Sequence, residues 1–117
     1  MSFHTRSCGY RALDPDSIDT LSLQECNDLV ARFSRGMAHP VRVEIIRHLG
    51  HKPESDRCLC RDIVDILPLA QSSVSQHLRV LKETGWIYGE IDGPRVCYCI
   101  TDGAMEFYHK LLKRSMK

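Results

Sequence analysis

A long amphipathic run, from about Gln71 to Thr84, is fenced by Pro68 on one side and Gly85 on the other. Proline stops the segment before it, and glycine supplies a left-handed cap after it. Within the run, Val74, Leu78 and Leu81 fall at i, i+4 and i+7, one apolar stripe on a helical period. Upstream, Asp62 to Leu67 predicts a short helix with Ile63, Val64 and Leu67 facing in. Downstream, Trp86 to Glu90 and Arg95 to Thr101 read as strands, joined by the turn residues Asp92-Gly93-Pro94. Few folds accept a short helix, a tight break, a long helix and a glycine-bounded hairpin in that order.

The flanks complete one small domain. Ser22 and Glu25 stand at capping-box spacing, and Leu23, Cys26, Leu29, Val30 and Phe33 then recur as a helical stripe that Gly36 ends. Pro40 suits a first helical position, since its missing N–H would have no partner there. Val41, Ile45, Ile46 and Leu49 follow as the stripe, and Gly50 closes it. Cys58-Leu59-Cys60 fits a brief strand, and a last amphipathic helix runs from about Asp102 with Met105, Tyr108, Leu111 and Leu112 on its apolar side. The expected class is mainly α with a small β-hairpin wing (α+β), a winged helix-turn-helix over residues 21–117. Residues 1–20, with Gly9, Pro15 and few apolar anchors, are expected to be a flexible tail. A chain of 117 residues has room for one such domain. No apolar run approaches the roughly 20 residues of a membrane span. Without a leader-like apolar stretch near Met1, the expected location is cytoplasmic, with no membrane partner.

In a helix-turn-helix the second helix enters the major groove and offers its N-terminal residues to base edges. Here those residues are Gln71, Ser72, Ser73, Ser75 and Gln76, whose hydroxyls and amides suit bases and phosphates. His77, Arg79 and Lys82 lie further along for the DNA backbone, and Arg95 sits beside the hairpin turn, where a wing reaches DNA. The expected partner is double-stranded operator DNA. A net charge of +1 excludes a strongly basic coat but not a local basic face.

The run Leu67-Pro-Leu-Ala-Gln-Ser-Ser-Val-Ser-Gln-His-Leu-Arg-Val-Leu-Lys-Glu-Thr-Gly-Trp-Ile87 resembles the recognition region of ArsR/SmtB-type metal-sensing repressors. His39-Pro-Val-Arg-Val-Glu-Ile-Ile46 resembles the start of that family's second helix, and Gly93-Pro-Arg-Val-Cys-Tyr-Cys-Ile100 its wing. The three segments stand in family order. The resemblance implies a repressor that leaves its operator when an inducer binds. It also implies a homodimer built from the first and last helices, here residues 22–35 and 102–115. Apolar surface left over on Phe33, Phe107, Tyr108 and Leu111 is expected to be buried by that pairing.

Six cysteines are many for this length, and four stand as Cys58-x-Cys60 and Cys97-x-Cys99. Residues i and i+2 of a strand share a face, roughly 6–7 Å apart. If the strand before the recognition unit pairs with the second wing strand, as the family's topology implies, all four thiols share one outward face. Leu59 and Tyr98 then point to the core. Thiolates are soft ligands, which favours ions such as Zn(II) or Cd(II) over Mg or Ca. The resemblance points to As(III) or Sb(III) as inducer, bound by Cys58, Cys60, Cys97 and Cys99. Arsenic-type relatives carry a third cysteine a few residues after the first pair, where this chain has Ile63 and Val64, and the wing pair is the expected substitute. No cofactor is expected for DNA binding itself. Cys26 reads as a buried apolar residue, and Cys8 has no assigned role.

Two alternatives stay open. The same thiols could form cross-strand disulfides and sense oxidants or reactive sulfur. From another class, the chain could be a zinc-stabilised protein-interaction module. Asp102, Glu106 and His109 share a face of the last helix, but Ala104 stands where a zinc site of the family would place histidine. A solvated polar face is the expectation there. His48 and His51 flank a loop near Cys58 as candidate auxiliary ligands. No catalytic motif is present, so the chain is not expected to be an enzyme.

Overall fold

A computed structural model describes residues 12–50, 58–59, 70–92 and 95–117. Among the described residues the α-helices are α1 (Leu23–Gly36), α2 (Pro40–Gly50), α3 (Gln71–Thr84) and α4 (Ala104–Ser115). Its strands are β1 (Cys58–Leu59), β2 (Ile87–Asp92) and β3 (Arg95–Ile100), hydrogen-bonded in the antiparallel order β1-β3-β2. This is a mainly helical winged fold, with β2 and β3 as the wing. The short helix expected at Asp62–Leu67 lies outside the described residues, as do Cys8, Cys60 and His51.

Local chemistry accounts for the helix ends. The Ser22 hydroxyl accepts from the Glu25 N–H at 3.1 Å, and the Glu25 carboxylate accepts from the Ser22 N–H at 2.8 Å. That reciprocal pair starts α1. Helix α3 ends at Gly85, which takes φ 101° and donates its N–H to the carbonyls of Leu81 and Lys82. Glycine occupies that left-handed conformation without a Cβ penalty.

The core sits where α1, α3, α4 and the wing meet. Trp86 is fully buried between Phe33 and Tyr108, with ring centroids 5.3 Å from each. Its indole N–H donates to the Phe33 carbonyl at 2.8 Å, so the polar edge of the largest core residue is satisfied. Tyr108 in turn shares a 2.7 Å hydrogen bond with Ser34. Phe33, Phe107 and Leu111 are therefore core residues of a single chain rather than surface left for a partner. Among the described residues, the large apolar side chains that remain outside are Leu23 on α1, 60% exposed, Val43 on α2, Met105 on α4, and Met116 just beyond it, 74% exposed. Cys26 is a buried free thiol, as its place on the α1 stripe implies.

Residues 12–20 depart from the expected flexible tail. Pro15–Thr20 forms a 3-10 helix, started by the Asp14 carboxylate accepting from the Asp16 N–H at 3.0 Å. Ile18 is fully buried in the core. Arg114 of α4 donates to the Ile18 carbonyl at 2.9 Å and to the Leu21 carbonyl. The Leu13 N–H donates to the Asp102 carbonyl at 2.8 Å, and Gly103, at φ 76°, leaves room for that approach. A Cβ on Gly103 would lie 2.5 Å from the Leu13 carbonyl oxygen. None of the described helices is long and apolar enough to cross a membrane.

Candidate functional site

Helix α3 divides cleanly. Val74, Leu78 and Leu81 are buried against the body, while Ser72, Ser73, Ser75, Gln76, Arg79 and Lys82 are exposed. Gln71 opens the helix, and no side chain caps its N-terminal end. The first N–H groups and the positive end of the helix dipole thus stand beside two serines. Arg95 opens β3 at the wing turn, in register with Asp92. The structure brings Ser72, Ser73, Ser75, Gln76, Arg79 and Lys82 onto one exposed face and sets Arg95 at the start of β3, opposite the last residue of β2.

Polar and steric contacts fix how α3 sits on α1. Gly36 lets the two elements approach: a Cβ there would lie 2.5 Å from Trp86 Cδ1 and 2.7 Å from Thr84 Oγ1. Arg32 Nε donates to the Thr84 carbonyl at 3.3 Å, and Arg35 pairs with Glu83 at 3.1 Å on the surface. An exposed pair of that kind contributes about 0–1 kcal/mol, so the close packing matters more. Arg42, from α2, donates to the Gly36 carbonyl at 3.0 Å and to the Arg35 carbonyl at 3.1 Å. Its remaining amino group reaches His77 Nδ1 at 3.1 Å. The His77 ring also lies 4.5 Å, centroid to centroid, from that of His39. Partial burial holds the His77 pKa below its ordinary value, and the neighbouring His39 and Arg42 push the same way. His77 is thus half-buried on the flank of α3. Arg42 had no assigned role in the sequence; its spacing of three from His39 at a helix start is the one signal that could have found it.

The thiols lie on the sheet. The β1–β3 register sets Cys58 opposite Cys99 and Leu59 opposite Tyr98, the pairing expected from the family's topology. On the other side of β3, Tyr88 stands opposite Cys99 and Glu90 opposite Cys97. Tyr98 and Ile100 pack against the core, so Cys97 and Cys99 alternate to the other face. That face is not open as expected, because Cys97 is only 5% exposed and Cys99 fully buried. The reason is position: β3 is the central strand, flanked at Cys99 by β1 and by the buried Tyr88. Both Cys97 and Cys99 are in disulfide linkage. A disulfide sulfur has no thiolate to offer, so these residues fit a soft metal only after reduction. Tyr88 and Glu90 were missed in the sequence because cross-strand register cannot be read from either strand alone.

Among the described residues, no group of three or more His, Cys, Asp and Glu side chains is gathered closely enough to hold a metal ion. Glu106 and His109 are exposed on α4, consistent with a solvated face. His48 Nε2 is buried without a hydrogen-bond partner.

Residues 39–88 match the family described as bacterial regulatory protein, arsR family. The chain is similar to the HTH-type transcriptional repressor SmtB of Mycobacterium tuberculosis, in strains CDC 1551 / Oshkosh and ATCC 25618 / H37Rv. Identity to each is 39% over 79 residues, covering 68% of this chain and 56% of the relative. The chain thus spans little more than half the length of those two repressors. It is also similar to the HTH-type transcriptional regulator YgaV of Escherichia coli strain K12, 29% identical over 91 residues, covering 78% of this chain and 89% of the relative.

Proposed function

We propose, from the match of residues 39–88 to the arsR family of bacterial regulatory proteins, that this chain is a homodimeric, cytoplasmic transcriptional repressor. It binds operator DNA through α3 and the wing, and its reduced thiols take a soft metal or metalloid that releases it. Arsenite or antimonite is the first choice of inducer, with Zn(II) or Cd(II) next. The observation that carries the DNA reading is the exposed face of α3. Ser72, Ser73, Ser75, Gln76 and Arg79 line it while the opposite face is packed rigidly on α1. The names of the mycobacterial relatives, transcriptional repressors both, agree with it. The exposed Leu23 and Met105, on the helices expected to pair, suit a dimer.

The inducer reading rests on the register that sets Cys58 opposite Cys99, with Cys97 on the same strand. Bound to Cys58, Cys60, Cys97 and Cys99, a soft ion would tie β1 to the wing strand. Thiols would lose protons on binding, so the affinity falls in acid. Because β3 forms the wing with β2, tension between β1 and β3 changes where Arg95 stands relative to α3. A coupling of about 1–3 kcal/mol is enough for a 5–150-fold loss of DNA affinity. Fluorescence anisotropy of a promoter duplex tests the DNA reading. Binding should fall steeply between low and high salt, because phosphate contacts release counterions. Weak binding with no salt dependence would contradict it.

A second reading is favoured by the disulfide linkage of Cys97 and Cys99: the same repressor would respond to oxidants or reactive sulfur. Release after peroxide or polysulfide, with no response of the reduced protein to arsenite, would select it.

A further inference from the structure

Arg42, His39 and His77 carry an inference about how the helix-turn-helix meets DNA. Arginine has five N–H donors and no acceptor. The 3.1 Å contact of its Nη1 with His77 Nδ1 is therefore a hydrogen bond only when Nδ1 holds a lone pair. The His77 ring proton then sits on Nε2, on the opposite edge of the imidazole. The same logic applies to His39. Its Nδ1 lies 3.1 Å from the backbone N–H of Val41, again a group that can only donate. His39 thus caps the start of α2 with Nδ1 and carries its proton on Nε2 as well. The two rings are in contact at 4.5 Å, His39 exposed and His77 half-buried beside the exposed α3 face. Arg42 is itself held from behind by two α1 carbonyls, so its third contact points in one direction.

We propose that His39 and His77 form a neutral pair of Nε2–H donors for a DNA phosphate beside α3, with Arg42 as the positioning residue that fixes the His77 tautomer. The inference rests on the DNA-binding reading above. It extends that reading by naming His39 and Arg42 and by assigning the donor atoms. A neutral donor pair differs from Arg79 or Lys82 in a measurable way. It adds hydrogen bonds without displacing a counterion, so it contributes affinity but no salt dependence. It also ties the start of α2 and the flank of α3 to the same phosphate, which fixes register on the duplex.

The test uses the full chain and two measurements. Nitrogen–proton correlation spectra of the DNA-free protein at neutral pH report each imidazole's tautomer, and both should be Nε2–H. The Arg42→Met substitution should erase that preference at His77 and leave it at His39. Binding of a promoter duplex is then followed over a range of salt. Asparagine keeps an acceptor at the Nδ1 level and removes the outer donor, whereas glutamine keeps a donor at the Nε2 level. His77→Asn and His39→Asn should each weaken DNA binding about 3- to 10-fold with the salt slope unchanged, the range expected for one hydrogen bond. His77→Gln should recover most of the loss. Thermal melts of each variant show whether it is folded.

An Nδ1–H tautomer at His77, or full affinity in both asparagine variants, would overturn the proposal. So would a salt slope lower by about 0.9 per substitution, which marks a charged contact. Failure of the wild-type chain to bind any duplex at low salt would overturn the DNA reading itself. The tautomer spectra, recorded without DNA, keep that failure distinguishable.

Discussion

Replacing Gly36 with alanine adds one methyl group at a close contact in the core. The new Cβ would lie 2.5 Å from Trp86 Cδ1, 2.7 Å from Thr84 Oγ1 and 2.8 Å from Trp86 Nε1. None of these neighbours is the free end of a flexible side chain. Trp86 is fully buried and anchored to the Phe33 carbonyl, and Thr84 is buried and bonded to the carbonyls of Val80 and Leu81. Overpacking of a filled core costs about 1–3 kcal/mol. Displacing the indole weakens a buried hydrogen bond at a further cost of about 1 kcal/mol. Alanine returns at most about 1 kcal/mol of helix propensity, a value for helix interiors, because Gly36 is the last residue of α1. The net is a loss of about 2 kcal/mol, or a fall in melting temperature of about 8 °C for a domain of this size. Trp86 is the single tryptophan, so its fluorescence in urea titrations reports the site directly, with circular dichroism as the second probe. DNA affinity should fall by more than the unfolded fraction explains, because the contact sets how α3 sits on α1. An unchanged or raised midpoint with an unaltered tryptophan spectrum would refute this account of the α1–α3 crossing.

Two further outcomes are expected. Ser22→Ala removes the acceptor for the Glu25 N–H and dissolves the reciprocal cap, which should cost about 1 kcal/mol in urea denaturation. A loss below a few tenths would mean that the cap does not hold α1 in solution. The other concerns pH. Since the folded-state pKa of His77 lies below its ordinary value, the unfolded chain takes up the proton first as pH falls. Stability from this residue is complete above about pH 6.5 and declines as pH drops below it toward the folded pKa. His77→Asn should flatten that decline in midpoints compared between about pH 7.5 and about pH 5.5. Parallel pH profiles in the two proteins would contradict the assignment.

Much of the fold was legible because local chemistry and periodicity agree. Ser22 with Glu25, Pro40, and Gly85 behind Leu81 each mark a helix end by a named hydrogen-bonding need. The alternation of Val96, Tyr98 and Ile100 against Cys97 and Cys99 marks the wing strand. Residues 12–20 were harder, since Leu13 and Ile18 form no helical or strand period and the burial of Ile18 depends on α4 packing against it. Asp14-Pro15, a carboxylate cap before a first-position proline, was the signal there. The polar face of α3 was read residue by residue. Its anchoring by Arg42, and the enclosure of Cys97 and Cys99 by neighbouring strands, depend on contacts between distant segments that no local pattern encodes. The same holds for the aromatic core: the helical stripes predicted burial of Phe33 and Leu111, whereas Phe107 lies outside the stripe read for the last helix, and only the packing shows that one chain buries all three.

The central claim joins the α3 face to the thiols on β1 and β3, and one titration tests both. Fully reduced protein is bound to a fluorescent promoter duplex, arsenite is added, and thiolate absorbance and anisotropy are followed together. The account predicts release as the absorbance saturates near about one ion per subunit. It also predicts a Cys58→Ser chain that binds the duplex like the wild type and stays bound. Equal release of wild type and Cys58→Ser, or saturation of the thiols with the duplex still held, would contradict it.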